Sequence, residues 1–255
     1  MTETTYRRLG YGPRKVIALH GWLSDSTVFD VMLRHVDQAQ FEFALPDFRG
    51  YGASIEHSGR YDLAEIASDA LAIADKNGWA QFHLIGHSMG GKAALRLALA
   101  QPQRVGRILA ITPVSAHPAP FDAATRALFE RAVHDVEARR RILDLTTGDR
   151  LPPQWSVRLA AASLDICRVE AFAGYLAAWS EGDFAEEARG LAHEMLVLVG
   201  EHDAGVPMPL VERTWLADYP NARAGTIANA GHYPMIETPL FLAATVERFL
   251  GADAT

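Results

Sequence analysis

Residues 86–93, GHSMGGKA, place a serine and a lysine among small residues, and this spacing fits two different chemistries. Read as G-x-x-x-x-G-K, the stretch is one residue short of a phosphate-binding loop. Read as G-x-S-x-G, it is a tight strand-to-helix turn that presents a nucleophilic serine. A phosphate loop requires Ser or Thr after its lysine to ligate Mg²⁺, but Ala93 follows Lys92. We therefore interpret Ser88 as the nucleophile.

A serine nucleophile needs a base and an acid, which in this kind of site follow it in the order Ser, Asp or Glu, His. Asp203 closes the segment GEHD at 200–203, after an apolar run that ends at Val199. His232 closes NAGH at 229–232, after a weaker run that ends at Ile227. Both lie where strands of an α/β sheet end and ligand-binding residues cluster. The sequence thus predicts His232 as the base and Asp203 as the acid that orients it.

Short runs rich in Val, Ile and Leu recur along the chain and read as strands buried on both faces. These runs are 16–19, 41–45, 82–85, 108–111, 195–199 and 224–227. Helical patterns separate several of them, at 63–77 with Asp62 as N-cap and Gly78 as the stop, at 89–101, and at about 240–250. This alternation predicts an α/β fold with a mostly parallel sheet covered by helices on both faces.

The alternation breaks between residues 113 and 190, where helical patterns follow one another without an intervening strand. We expect helices at about 123–145, 156–164 and 168–179. The sequence shows no linker for an independent second domain and no internal repeat. We therefore predict one domain, with a core formed by residues 1–112 and 191–255 and a helical lid inserted at residues 113–190.

Composition and charge argue against several classes of protein. With 24 Lys and Arg against 31 Asp and Glu, the net charge of −7 has the wrong sign for a nucleic-acid-binding surface. The basic run Arg139 to Arg141 is interpreted as a solvated helix face, and Lys92 with Arg96 as a solvent-facing stripe.

The single cysteine, Cys167, excludes an internal disulfide and a cysteine-based metal site. The N-terminal segment MTETTYRRLG lacks the pattern of a signal peptide, and no apolar run is long enough for a membrane span. We expect a cytoplasmic protein that binds neither nucleic acid nor membrane.

Five segments in order resemble the α/β-hydrolase family, in particular small serine carboxylesterases with a helical lid. They are HGW at 20–22, DFRGYGAS at 47–54, GHSMGG at 86–91, GEHD at 200–203 and AGHYP at 230–234. The resemblance covers about residues 15–250. It implies that the backbone N–H groups of Met89, which opens a helix, and of Trp22 receive the oxyanion.

The resemblance also implies supporting roles for His20 and His87 and for the segment from Asp47 to Ser54. It leaves one alternative open for the acid, because some related hydrolases take it from after the strand that precedes the lid. Asp122 is the candidate at that position. The motif around Asp203 favours Asp203 as the acid.

The activity implied is hydrolysis of a small-molecule carboxylic ester through an acyl-enzyme, without a cofactor or metal. A lactone, a thioester or a carbon–carbon bond is an alternative substrate for the same residues, although the H-G-x-G-P-G segment of carbon–carbon bond hydrolases is absent. A receptor that keeps the three residues and uses the lid to sense a ligand is an alternative from another class. The sequence leaves the oligomeric state open.

Aromatic residues of the predicted lid either wall a pocket over Ser88 or pack against the core. They are Phe129, Trp155, Phe172, Tyr175, Trp179 and Phe184.

Overall fold

A seven-stranded sheet forms the centre of the computed structural model, which describes residues 5–252. Residues 1–4, at the start of the segment examined for a signal peptide, and residues 253–255, at the end of the predicted core, lie outside the described part. The strands are β1 (Tyr6–Gly10), β2 (Arg14–Leu19), β3 (Phe41–Pro46), β4 (Phe82–His87), β5 (Val105–Ile111), β6 (Met195–Gly200) and β7 (Ala222–Ile227). Six of these contain the strands predicted from the apolar runs.

The strand order β1-β3-β2-β4-β5-β6-β7 gives the sheet a mostly parallel topology. Every pair from β3 to β7 is parallel, and β1 pairs antiparallel with β3, with Tyr6 opposite Pro46. Strand β1 was not predicted from the sequence, because its residues, YRRLG, contain no apolar run. An edge strand that exposes Arg7 and Arg8 to solvent does not need one.

Helices cover both faces of the sheet, as expected for the α/β class. Those outside residues 113–190 are α1 (Asp30–Leu33), α2 (Leu63–Lys76), α3 (Met89–Ala100), α9 (Met208–Arg213), α10 (Trp215–Asp218), α11 (Pro234–Glu237) and α12 (Pro239–Gly251). Helix α2 begins as predicted, with the Asp62 carboxylate accepting from the N–H of Glu65 at 2.7 Å. It ends at Gly78, which has the positive φ of 67° that favours glycine.

We call residues 113–190 the insertion. Its helices are α4 (Ala123–Arg131), α5 (Val136–Thr146), α6 (Pro153–Asp165), α7 (Val169–Ser180) and α8 (Ala185–Ala188). The division of the chain into a core and a lid stays a prediction.

The single long helix predicted at 123–145 is wrong, because the chain breaks between α4 and α5. Asp135 adopts an extended conformation there and caps α5, its carboxylate accepting from the N–H of Glu137 at 2.9 Å. The carbonyls of Ala132 and Val133, at the end of α4, accept from the Arg139 guanidinium at 2.8 and 3.2 Å. The break is therefore stabilised by a side chain from the next helix.

Arg139 contradicts the prediction that the basic run is a solvated helix face, since only 1% of it is exposed. Besides the two carbonyls of α4, its guanidinium donates to the carbonyl of Ser163 at 2.8 Å. Arg140 and Arg141, which do reach solvent, pair with Glu137 and Asp149. The helix face is thus split between a buried and an exposed half.

Lys92 contradicts the prediction of a solvent-facing stripe, because it is completely buried. Its ammonium group donates to the carbonyls of His117, Trp179 and Gly182 at 2.8, 3.0 and 2.5 Å. Arg96, one turn further along α3, does reach the surface and pairs with Glu187 at 3.0 Å. Lys92 therefore ties the helix behind Ser88 to both ends of the insertion.

No helix within residues 5–252 combines the length and the apolar character that crossing a bilayer requires.

The burial of Lys92 predicts a pH-dependent contribution to stability. Burial lowers the pKa of Lys92 to about 8, and the nearby Asp183 carboxylate opposes the shift. Between this pKa and the usual value of about 10.5, the unfolded chain holds a proton that the folded chain releases, so stability rises with pH. From pH 7.5 to pH 10, we expect the free energy of unfolding of wild type to gain about 2 kcal/mol relative to Lys92→Met, measured by urea denaturation.

Arg96→Met is the matched control on the same helix, since a guanidinium stays charged throughout this range. The difference in the free energy of unfolding between Arg96→Met and wild type should not change with pH. If the difference between wild type and Lys92→Met is equally constant, the ammonium stays charged in the folded protein and the prediction is wrong.

Candidate active site

Ser88 lies in a strained turn between β4 and α3. Its backbone has φ 52° and ψ −117°, a conformation that typically costs a residue with a side chain about 1–3 kcal/mol. The turn is held by hydrogen bonds from the N–H of Ser88 to the carbonyl of Ile111 at 3.0 Å, and from the N–H of Val114 to the carbonyl of Ser88 at 3.0 Å. The side chain consequently projects from the end of the sheet at a fixed position.

The two glycines of G-x-S-x-G are required by close backbone contacts. A Cβ atom on Gly86 would lie 2.5 Å from the carbonyl oxygen of Gly90, and one on Gly90 would lie 2.1 Å from that of Leu19. Both distances are far below van der Waals contact, so β4, α3 and β2 meet at this turn only when these positions lack side chains.

His232 and Asp203 form a hydrogen-bonded pair at the ends of β7 and β6. The Nδ1 atom of His232 lies 2.7 Å from Oδ2 of Asp203. The other carboxylate oxygen accepts from the N–H groups of Gly205 and Val206 at 2.8 and 3.1 Å. Because the carboxylate is an acceptor, the neutral imidazole carries its proton on Nδ1, which leaves Nε2 free to accept a proton.

The backbone of His232 is held by His87, for which the resemblance implies a supporting role, and by two threonines that were not predicted from the sequence. Its carbonyl lies 2.9 Å from Nε2 of His87 and accepts from the hydroxyl of Thr112 at 3.0 Å. Its N–H donates to the carbonyl of Thr146, in the insertion, at 3.0 Å. Thr112 and Thr146 carry no motif and lie far from residue 232 in sequence, so no pattern pointed to them.

His87 and His20 take the supporting positions expected of them. Burial, followed by the proximity of His232, lowers the pKa of His87 well below its usual value, which keeps the imidazole neutral. Burial also lowers the pKa of His20, whose Nε2 accepts from the N–H of Phe48 at 3.1 Å and whose Nδ1 lies 2.8 Å from the carbonyl of Gly21. His20 therefore links the loop after β2 to the loop after β3.

The loop containing Gly21 and Trp22 passes directly beside Ser88. A Cβ atom on Gly21 would lie 3.3 Å from the Cβ of Ser88, so a side chain at position 21 would crowd the site. On the other side, Met89 begins α3, and the first N–H groups of a helix have no partner within it. The loop at Gly21 and the start of α3 thus both adjoin the serine, and the role of Trp22 and Met89 as oxyanion donors stays a prediction.

The segment from Asp47 to Ser54 has the structural role expected for it. The two carboxylate oxygens of Asp47 accept from the N–H groups of Ser26 and Ala53, each at 2.8 Å. Arg49 pairs with Asp69 of α2 at 2.8 Å. These contacts fix the loop after β3 next to the loop that carries Trp22.

A cavity of about 430 Å³ opens over Ser88 and is bounded by Trp22, His87 and His232. Its volume lies within the usual range for small-molecule sites. The insertion supplies much of the apolar wall. Among the apolar residues that it contributes are Leu128, Phe129, Ile142, Leu145 and Trp179.

Of the aromatic residues proposed to wall the pocket, Phe129 and Trp179 line it. Phe172 stacks behind Trp22, with ring centroids 3.9 Å apart, and Tyr175 is buried against Tyr51. Ordinary packing therefore accounts for part of the aromatic set.

Asp122, the alternative acid, has a different hydrogen-bond partner from the base. It is exposed and caps α4, its carboxylate accepting from the N–H of Thr125 at 2.7 Å. His202, which neighbours Asp203 in sequence, is also exposed and lies 3.6 Å from Glu201. Within residues 5–252, no cluster of three His, Cys, Asp or Glu side chains is arranged to hold a metal. The absence of a cofactor stays a prediction.

A strained serine at the end of β4, beside a hydrogen-bonded imidazole and carboxylate on a mostly parallel sheet, defines the class of α/β hydrolases. The model of the alpha/beta hydrolase fold matches residues 15–239. The chain therefore belongs to this family and is an enzyme of the hydrolase class.

Two relatives have the names of different hydrolases. The chain is 28% identical to a pimeloyl-[acyl-carrier protein] methyl ester esterase of Serratia marcescens, over 99% of this chain and 100% of that protein. It is 30% identical to a 2-hydroxymuconate semialdehyde hydrolase of Pseudomonas putida, over 82% of this chain and 77% of the relative. Among solved structures, an esterase from Exiguobacterium antarcticum superposes with a TM-score of 0.85 at 18% identity, covering 97% of this chain and 95% of that one.

The geometry of the turn predicts that Gly90→Ala cannot keep the site intact. The added methyl group would overlap the carbonyl of Leu19, so we expect a loss of more than about 2 kcal/mol in the free energy of unfolding and a loss of activity. Gly225→Ala is the control in β7, where a Cβ would meet Leu198 at an ordinary 3.6 Å. Urea denaturation of both variants tests this, and a Gly90→Ala protein as stable as the control would contradict it.

Proposed function

We propose that this protein is a serine hydrolase that cleaves a carboxylic ester of a small molecule through an acyl-enzyme. The observation that carries the proposal is the 2.7 Å contact between His232 Nδ1 and Asp203 Oδ2. This contact keeps the proton of the neutral imidazole on Nδ1, so Nε2 is a hydrogen-bond acceptor. His232 and Ser88 line the same cavity. The similarity to a methyl ester esterase over the whole chain supports an ester as the substrate.

In the proposed first half-reaction, the hydroxyl oxygen of Ser88 attacks the carbonyl carbon of the ester while its proton passes to Nε2 of His232. The imidazolium is stabilised by the carboxylate of Asp203, which remains ionised. The oxyanion of the tetrahedral intermediate accepts from the backbone N–H groups of Met89 and Trp22, and the dipole of α3 favours the negative charge.

Collapse of the intermediate breaks the bond to the alcohol, which leaves with the proton from His232, and the acyl group stays on Ser88. In the second half-reaction water loses a proton to His232 and attacks the acyl carbon. Collapse then releases the acid and returns the proton to Ser88. Only the neutral imidazole accepts protons, so the chemistry requires His232 to be unprotonated.

The cavity favours an apolar acyl or alcohol group of modest size. Side chains such as Leu145 and Phe129 provide its apolar surface, and its volume of about 430 Å³ admits small molecules. Hydrolysis of a carbon–carbon bond is the second candidate, supported by the relative from Pseudomonas putida. The segment HGWLSD at 20–25 speaks against it, because it lacks the second glycine, the proline and the third glycine of H-G-x-G-P-G.

The nucleophile is tested with p-nitrophenyl esters of increasing acyl length. We expect repeated turnover by wild type, an optimum at a chain length that fits the cavity, and a loss of about 10⁶-fold in kcat for Ser88→Ala. Ser115→Ala is the matched control, since Ser115 lines the same cavity and has no proposed role in the chemistry. Absence of turnover across the series, or a single acylation without release, would overturn the esterase proposal.

The acid is tested by comparing Asp203→Asn with Asp122→Asn. An asparagine at 203 favours the wrong imidazole tautomer, so we expect kcat to fall by about 10³- to 10⁴-fold while the fold survives. Asp122→Asn should keep the activity of wild type, because this side chain caps a helix in the insertion. The reverse result would assign the role to Asp122.

A further inference from the structure

Trp22, whose backbone flanks Ser88, is attached through its side chain to the insertion. Its indole ring stacks on Phe172 of α7 with centroids 3.9 Å apart and the planes inclined by 13°. Its Nε1 atom donates to the carbonyl of the same residue at 2.8 Å. Its own carbonyl accepts from the hydroxyl of Tyr51 at 3.0 Å. One residue of the site is therefore held from two separate parts of the chain.

Phe172 is itself clamped by the buried Arg139. The guanidinium carbon lies 3.9 Å from the centre of the Phe172 ring, within the range of a cation–π contact. Two flat groups cannot occupy the same face of a ring at the same height, so the guanidinium and the indole of Trp22 cover opposite faces. The result is a three-layer stack of Arg139, Phe172 and Trp22.

The outer layer of this stack is rigid because the guanidinium has its donors engaged. They reach the carbonyls of Ala132, Val133 and Ser163 and the hydroxyl of Ser163. A buried charge with its hydrogen bonds satisfied cannot rotate without losing them. Phe172 is consequently pressed between a fixed cation and the loop of Trp22.

An oxyanion donor is effective only when it lies about 2.7–3.1 Å from the developing charge, and a shift of a few tenths of an ångström weakens it. We propose that Phe172, backed by Arg139, is a positioning residue that sets the backbone N–H of Trp22 beside Ser88. This inference rests on the proposed function. If Phe172 positions Trp22, the core alone does not complete the site, because α7 must pack against Trp22.

The kinetic test is Phe172→Leu, which keeps an apolar side chain and removes the flat face. Phe172 does not line the cavity, so we expect kcat for a p-nitrophenyl ester to fall by about 10- to 100-fold with KM within about 3-fold of wild type. Phe184→Leu is the matched control, a buried phenylalanine of the same insertion that faces Lys92, and should keep wild-type kcat.

A second variant guards against misfolding of the first. Arg139→Lys retains the charge but not the planar group, so it should lower kcat in the same direction by a smaller factor. Thermal unfolding is measured for each variant. A midpoint well above the assay temperature confirms that the assays report on folded protein.

A readout independent of activity is the mobility of Trp22 itself. Labelling with ¹⁵N-tryptophan gives one backbone and one indole signal for each of the five tryptophans, and Trp22→Phe assigns those of Trp22 by their disappearance. In Phe172→Leu the ¹⁵N relaxation of the Trp22 backbone signal should report greater mobility than in wild type, a change that loss of the Phe172 ring current cannot produce, while Trp79 and Trp215 in the core keep their relaxation. Phe184→Leu should leave the mobility of the Trp22 backbone unchanged.

Unchanged kcat in a folded Phe172→Leu protein, or unchanged mobility of the Trp22 backbone, would overturn the inference while leaving the esterase proposal intact. An equal loss in kcat for Phe184→Leu would also overturn it, because the effect would then be a general one of the insertion. If wild type hydrolyses no ester although the Trp22 backbone becomes more mobile in Phe172→Leu, the positional claim is supported and the proposed function fails.

Discussion

The strained backbone of Ser88 is the constraint on which the rest of the site depends. A positive φ at a residue with a side chain persists only where its surroundings hold it, and here β2, β4, β5 and α3 all contribute. The contacts at Gly86 and Gly90 require backbone to meet backbone, and the carbonyl of Ile111 fixes the N–H of Ser88. The packing of the central sheet thus holds the turn, and with it the hydroxyl group of Ser88, in a fixed position.

The insertion is bound to this core through polar contacts at three points of the site. Lys92 reaches the carbonyls at its two ends, the carbonyl of Thr146 fixes His232, and the carbonyl of Phe172 fixes Trp22. Hydrogen bonds of this kind have strict geometry, whereas apolar packing alone tolerates sliding. The cavity wall and the reactive groups are therefore held in fixed positions relative to each other.

Two buried cations serve this arrangement, and both offset the cost of burial in the same way. Lys92 and Arg139 each donate to backbone carbonyls near helix ends, where acceptors are left without partners. Lys92 uses a compact ammonium at the junction between α3 and the insertion. Arg139 uses a planar group that can also stack on Phe172. The choice of side chain follows from what each has to contact.

The sequence by itself determined the α/β class and six of the seven strands, and it predicted the site residues at the end of the sheet. These follow from local signals: apolar runs of strand length, and short motifs in which Ser88, Asp203 and His232 each follow a strand. The sequence did not predict features that depend on a partner residue distant in the chain. The edge strand β1 is defined by pairing with β3, and the break between α4 and α5 by the Arg139 guanidinium.

Only the tertiary structure decided that Lys92 and Arg139 are buried, that Thr112 and Thr146 hold His232, and that Trp22 is hydrogen-bonded to Phe172. A helical pattern reports which residues share a face, but not whether that face meets water or a set of unpaired carbonyls. The physical reason is that the free energy of burying a charge depends on acceptors supplied by other elements, whose positions no local pattern contains.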